Sequence, residues 1–322
     1  MAGEHRVLVT GASGFIGSAL MPALSAAGYA TRRAVQRLSE QSPPDGEVAT
    51  VGDIDGTTDW GEALRSIQTV VHLAARTHVL RETASDPLAA YRRINVEGTR
   101  RLATQAAAAG ARRLVFLSSI KVNGERTTGR PYTEDDTPQP EDAYGVTKWG
   151  AEQALRTIER ETGLQVVILR PPLVYGPGVK GNFLRLMKLI ARGWPLPLAS
   201  VHNQRSLIYV GNLVDAILAC IQVPAAAGRT YLVSDGTDTS TPELLRSLAR
   251  ALGISPWLFP FPPSLLMMAA TVIGKREEAG RLLGSLQVES ARIRRELGWQ
   301  PAHTMDEGLS ETARWILKNS HR

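Results

Sequence analysis

Short apolar runs rich in β-branched residues recur along the first half of this chain, and between them apolar positions return every three or four residues. An apolar run of roughly four to eight residues predicts a strand, and a three-to-four period predicts a helix with one buried face. On that reading residues 5–10, 30–35, 48–52, 69–73, 113–117 and 165–169 are strands, and residues 15–27, 88–109 and 143–161 are helices. Regular strand–helix alternation predicts a parallel sheet covered by helices on both faces. Ligands bind such sheets beyond the carboxyl ends of the strands, where the strand order reverses.

The pattern changes after Pro171-Pro172. Proline and glycine become dense (Gly176-Pro177-Gly178, Trp194-Pro195-Leu196-Pro197, Phe259-Pro260-Phe261-Pro262-Pro263), helical periods dominate, and one strand signal remains at 231–233. The expected architecture is α/β. A Rossmann-like doubly wound parallel sheet occupies residues 1–175, and a smaller, mostly helical substrate lobe occupies residues 176–322, partly interleaved with it.

Composition narrows this little. The 322 residues, 43% apolar and 21% charged, are ordinary for a globular chain. No apolar run reaches the ~18 residues that cross a bilayer. The longest, residues 264–273, is too short; residues 265–273 are expected to join the core, with a dimer contact or a membrane-facing patch as the alternatives. Val7-Leu8-Val9 is too short for a signal-peptide core, so a cytoplasmic location is expected. The single cysteine, Cys220, lies on the apolar face of a predicted helix and reads as core. The six histidines are scattered, and no metal site is expected. The net charge of +6 comes from dispersed pairs such as Arg92-Arg93 and Arg294-Arg295, without interleaved aromatics. That argues against a nucleic-acid groove and is compatible with a nucleotide-sugar ligand.

The first candidate chemistry is Thr10-Gly11-Ala12-Ser13-Gly14-Phe15-Ile16-Gly17, where a strand ends and a helix begins. Glycines there allow a tight turn and let backbone N–H groups approach a pyrophosphate at the helix N-terminus. Gly11, Ser13, Gly14, Phe15, Ile16 and Gly17 are therefore expected to bind a dinucleotide. An NAD site carries an acid about 20 residues further on, for the ribose 2′-hydroxyl. Val35 stands there instead, flanked by Arg33 and Arg37. A guanidinium can hold a 2′-phosphate, so NADP(H) is favoured, with NAD(H) left open. Asp53, followed by Ile54, is placed to accept from the adenine amine, and Leu73-Ala74-Ala75 offers small residues beside the cofactor.

The second is Tyr144-Gly145-Val146-Thr147-Lys148, with Ser119 upstream in Phe116-Leu117-Ser118-Ser119. Tyrosine and lysine four apart on a helix share a face. A tyrosine of pKa near 10 needs about 4 kcal/mol of differential stabilisation to act near pH 7, which Lys148 and an oxidised nicotinamide would supply. Ser119 would orient the substrate oxygen, Lys148 would hold the nicotinamide ribose, and Asn95 would support both through hydrogen bonds.

Together with His72-Leu73-Ala74-Ala75 and Arg170-Pro171-Pro172-Leu173-Val174-Tyr175-Gly176-Pro177, these motifs resemble the extended short-chain dehydrogenase/reductase family, in its NAD-dependent epimerase/dehydratase group, from Val7 to about Trp315. The resemblance implies a UDP-sugar substrate, a homodimer packed through residues 88–109 and 143–161, and cofactor contacts from Pro171 and Val174. Residues 118–125 and 172–182 look most like a subgroup that reduces the C4 keto group of a UDP-2-acetamido-2,6-dideoxy-hexos-4-ulose for surface polysaccharide. There Asn182 and Arg205 would meet the diphosphate or sugar, Leu196 would line the uracil pocket, and Lys121 and Asn123 would touch the sugar ring. A dehydratase is disfavoured because no carboxylate follows Ser119. A UDP-sugar 4-epimerase with tightly bound NAD is the alternative, and a non-catalytic dinucleotide sensor is disfavoured by the presence of both Tyr144 and Lys148.

Overall fold

The structure, a computed structural model, describes residues 5–37, 47–77 and 86–319. In chain order the first body contains β1 (Arg6–Thr10), α1 (Phe15–Ala26), β2 (Ala30–Val35), β3 (Glu47–Thr50), α2 (Gly61–Leu64), β4 (Thr69–His72), α3 (Pro87–Arg92), α4 (Thr99–Ala108), β5 (Arg113–Leu117), α5 (Ala143–Thr162) and β6 (Gln165–Arg170). There follow β7 (Leu173–Tyr175), α6 (Gly181–Ala191), β8 (Leu207–Tyr209), α7 (Val210–Gln222), β9 (Thr230–Leu232), α8 (Thr241–Ala251), α9 (Pro263–Val272), α10 (Arg276–Leu283), α11 (Ala291–Leu297) and α12 (Met305–Asn319).

Seven strands form one parallel sheet in the order β3-β2-β1-β4-β5-β6-β9. The chain winds outward from β1 to β3, then returns to place β4 on the other side of β1. The order therefore reverses between β1 and β4, where Val7–Thr10 runs in register with Thr69–His72. Central strands such as β4 and β5 are buried along their whole length, as expected of parallel strands covered on both faces. α1 and α7 cover one face through Leu20, Leu24, Leu213 and Ile217. α2, α4 and α5 cover the other through Leu64, Leu102 and Leu155. A third cluster, including Phe183, Met187, Leu245, Leu248, Leu309 and Ile316, holds the second lobe.

Two expectations need correcting. The strand signal at 231–233 was assigned to the substrate lobe, but β9 is the seventh strand of the main sheet, paired with β6. α7 likewise packs on that sheet, with Cys220 fully buried. Arg113 on β5 fixes this return: its Nη1 donates to the carbonyls of Cys220 and Ile221 at 2.8 Å and Val223 at 3.0 Å, satisfying acceptors that a helix end leaves unpaired. The apolar stretch 264–273 is not core either, since α9 carries no buried residue.

Candidate active site

The glycine loop is built by close backbone approach. Gly11 has φ +68°, and a Cβ there would lie 2.8 Å from the amide nitrogen of Ala74. A Cβ on Gly17 would lie 2.2 Å from the Gly11 carbonyl oxygen, so α1 can sit against the loop only with glycine at that position. Gly14 donates to Gly11 O at 3.0 Å and precedes the first turn of α1. Ser13 and Gly14 are exposed, while Phe15 and Ile16 are half-buried. This cradle fits a pyrophosphate at the helix N-terminus.

A buried chain of hydrogen bonds locks the strand reversal beneath it. Thr10 Oγ1 meets His72 Nδ1 at 2.7 Å, His72 Nε2 meets Thr99 Oγ1 at 2.9 Å, and the Ala74 amide donates to Thr10 Oγ1 at 3.2 Å. Burial, aided by the charge of Lys148, pushes His72 down to about 3 and keeps it neutral. Leu73 donates to Thr10 O at 3.3 Å, so Leu73 and Ala74 lie against the loop. No local pattern marked His72 as part of this lock.

At the adenosine end, Arg33 lines a cleft beside α1 with Met21, Pro22, Ser25 and Ala26, and its buried Nε has no hydrogen-bond partner. It shares a sheet face with Val35. Arg37 is exposed. Asp53 accepts a hydrogen bond from Gln36, the residue after Val35, which brings a carboxylate to the end of β2. Ile54 packs against Gly98, where a Cβ would meet its Cγ2 at 2.8 Å.

The expected helix 88–109 is interrupted by a wide π-type turn, Arg93–Gly98, that turns Asn95 inward. Asn95 Oδ1 accepts from the Arg76 amide at 2.8 Å, and its Nδ2 donates to Arg76 O and to Thr147 Oγ1, both at 3.1 Å. Asn95 thus ties the segment after β4 to α5, between Tyr144 and Lys148. Asp142 caps α5 by accepting from the Gly145 amide at 2.7 Å. Gly145 in turn faces the carbonyl of Lys121, which a Cβ would approach to 2.7 Å, so the turn after Ser119 lies against the first turn of α5. Ser119 is half-buried, and its Oγ accepts from the Lys121 amide at 3.2 Å.

Lys148 is 2% exposed, and its Nζ stands 4.1 Å from the centre of the Phe116 ring. Burial lowers it to about 7, against an opposing pull from Glu152. Tyr144 was expected to be held down by Lys148. Instead, burial pushes its hydroxyl up, and Asp142 and Tyr91 add to the effect. A lysine that is itself losing its charge to burial is a weak depressor of a neighbouring phenol.

On the substrate side the structure sorts the expected residues. Lys121 pairs with Glu125 at 2.7 Å and with Asp142. Asn123 does not face a sugar: it is buried, accepts from Arg170 Nη1 at 3.0 Å and donates to Thr133 O at 3.0 Å. It belongs to a network in which Arg170 binds Glu152 through two bonds, at 2.6 and 3.0 Å, and Ser118 donates to the same carboxylate. Pro171 supports the Ser119 turn, its carbonyl accepting from the Ile120 amide at 3.0 Å. Val174 sits in β7 at the lobe boundary, and Asn182 is exposed in the first turn of α6. Leu196 pairs with residues 257–259.

Arg205 donates to Gly284 O at 2.9 Å, and burial and the nearby Arg281 both lower its pKa. Arg281 stands 3.8 Å from Glu125 Oε2, and its buried Nε has no hydrogen-bond partner. Lys121, Arg205 and Arg281 therefore gather around Glu125, an arrangement suited to a further anion. Arg281 was missed because it comes from a distant, mostly exposed helix with no motif around it.

With this geometry in place, comparison with known proteins is direct. The family described as "NAD dependent epimerase/dehydratase family" matches residues 7–234. A UDP-glucose 4-epimerase of Vibrio cholerae is 42% identical over 98% of this chain and 97% of its own length. An N-acetyl-α-D-glucosaminyl-diphospho-ditrans,octacis-undecaprenol 4-epimerase of Escherichia coli O157:H7 is 27% identical over 97% of this chain and 95% of its own. Among solved structures, MoeE5 in complex with UDP-glucuronic acid and NAD superposes with a TM-score of 0.78 at 27% identity, covering 97% of this chain and 99% of that one. The glycine cradle, the Tyr144–Lys148 helix and a full-length relative at this identity agree, and the chain belongs to the NAD dependent epimerase/dehydratase family.

Proposed function

We propose that this protein is a UDP-hexose 4-epimerase that keeps NAD through its catalytic cycle. The observation that carries the reading is the 42% identity to the Vibrio cholerae UDP-glucose 4-epimerase over nearly the whole chain, on a site that retains Ser119, Tyr144 and Lys148. Gly11, Gly14 and Gly17 would hold the pyrophosphate, Lys148 the nicotinamide ribose, and Asp53, positioned by Gln36, the adenosine end. A bound nicotinamide supplies a reversible hydride acceptor and donor at C4. Tyr144 takes the O4 proton as the C4–H bond breaks and returns it when hydrogen comes back on the opposite face of the ketone. Ser119 orients that oxygen, and Arg205 with Arg281 holds the diphosphate while the sugar turns.

The C4-reductase subgroup finds no support among these relatives. One observation keeps a reductase as a second reading: Val35 stands where an NAD-retaining site carries an acid. Against NADP, Asp53 stands beside the end of β2, where it would repel a 2′-phosphate. The same family reading carries a homodimer through α4 and α5.

The test is incubation of the purified protein with UDP-glucose, and separately with UDP-N-acetylglucosamine, without added cofactor. Interconversion with the C4 epimer, and release of NAD on denaturation, is the expected result. No interconversion, together with NADPH consumption on a UDP-4-keto-6-deoxy sugar, overturns it in favour of the reductase.

A further inference from the structure

From Ala251 to Gly274 the chain carries no Asp, Glu, Lys, Arg or His. α9 lies within this stretch. Its residues Leu265, Met268, Ala269 and Val272, spaced i, i+3, i+4, i+7, form one stripe along the helix, and all four are exposed. Met268 is 60% exposed, Val272 82%, and Ile273, which extends the stripe, 67%. Only the opposite side, through Leu266, packs on the lobe core. Single exposed apolar residues need no explanation, but a contiguous stripe does.

Two tryptophans are also exposed, Trp257, which precedes α9 in the chain, at 64% and Trp194 at 57%. They belong to adjoining segments, since the Leu196 amide donates to Trp257 O at 2.9 Å and the Phe259 amide to Leu196 O at 3.1 Å. Exposed bases adjoin these segments in the chain: Lys188 and Arg192 at the end of α6, just before Trp194, and Lys275 and Arg276 just after α9. The nearest acids, Glu277 and Glu278, follow on α10, and Glu277 is paired with Arg281 at 3.6 Å.

We propose that α9, with Trp194 and Trp257, docks this protein onto an anionic membrane surface, lying in the headgroup layer and leaving the catalytic sheet in water. A ten-residue helix is too short to span a bilayer but long enough to lie in its interface, where tryptophan is favoured and basic residues meet anionic lipid. The inference does not depend on which sugar the site turns over.

The test is co-sedimentation of the full-length protein with mixed phosphatidylcholine–phosphatidylglycerol vesicles and with phosphatidylcholine vesicles alone. Binding to the anionic vesicles is expected, weakened by salt and accompanied by a blue shift of tryptophan fluorescence. The exposed double variant Met268→Asp/Val272→Asp should keep its fold by circular dichroism and its activity while losing at least ~10-fold in vesicle affinity. Three results overturn the proposal: no vesicle binding by the parent chain, undiminished binding by the double variant, or a concentration-dependent oligomer that the double variant abolishes, which would make this face a contact between copies.

Discussion

Lys148 holds its ammonium nitrogen 4.1 Å from the centre of the Phe116 ring, and the same ring stacks on His72 with centroids 5.6 Å apart. The ring face gives the buried cation partial compensation, but burial still dominates and brings Lys148 to about 7. Lys148 is thus held at a cost to the fold, and His72, on the same ring, stays neutral.

A stability signature follows. The folded-state pKa of Lys148 lies below its unfolded value of 10.5, so between about 7 and 10.5 the unfolded chain binds more protons and stability gained from this group rises with pH. Lys148→Met should therefore raise the melting temperature most at or below pH 7, with the advantage fading toward pH 10. Thermal unfolding across that range checks it, and an advantage that grows with pH contradicts the burial argument.

Tyr144→Phe removes the only proposed proton carrier at O4 while leaving the helix intact. The expected outcome is a loss of at least ~100-fold in kcat with unchanged dinucleotide content. Turnover within tenfold of the parent would remove Tyr144 from that role.

Arg281→Ala should raise KM for the UDP-sugar by about 10- to 100-fold, the worth of a charge-assisted contact to phosphate, and leave bound dinucleotide unchanged. Steady-state kinetics and a denaturation assay for released cofactor separate the two. An unaltered KM would place the diphosphate elsewhere.

Arg170 and Glu152 are both nearly inaccessible, with side chains 5% and 2% exposed. Arg170→Met leaves a buried carboxylate unpaired and should cost about 3–5 kcal/mol in urea unfolding. Adding Glu152→Met should recover most of that loss, whereas an additive double variant would mean the two do not act as a pair.

At the adenosine end, Arg33→Ala should leave the preference between NAD and NADP unchanged, because the Asp53 carboxylate beside the end of β2 would repel a 2′-phosphate. Asp53→Ala should weaken NAD retention by about tenfold, the loss of one hydrogen bond to a charged group. A swing toward NAD in the arginine variant would restore Arg33 as a 2′-phosphate ligand.

Most of the first body was legible because its signals are local. Strands at Ala30–Val35 and Arg113–Leu117 fall where the apolar runs put them, and Gly11, Gly14 and Gly17 announce a cradle through steric demands each residue carries itself. β9 was read as a strand but placed in the wrong body, since its partner β6 comes some sixty residues earlier and only pairing decides a sheet. The stretch 264–273 was read as core because its composition is apolar, while burial depends on what the rest of the lobe leaves for it to cover.

The sequence by itself determined the alternation of strand and helix, the cofactor cradle and the Tyr144–Lys148 spacing, all set by contacts within a few residues. Tertiary structure alone decided that Arg281 joins Arg205, that Asn123 serves Arg170, and that Tyr144 is pushed up and not down. Each of these depends on desolvation and on charges brought together from distant parts of the chain, and neither quantity exists until the chain has folded.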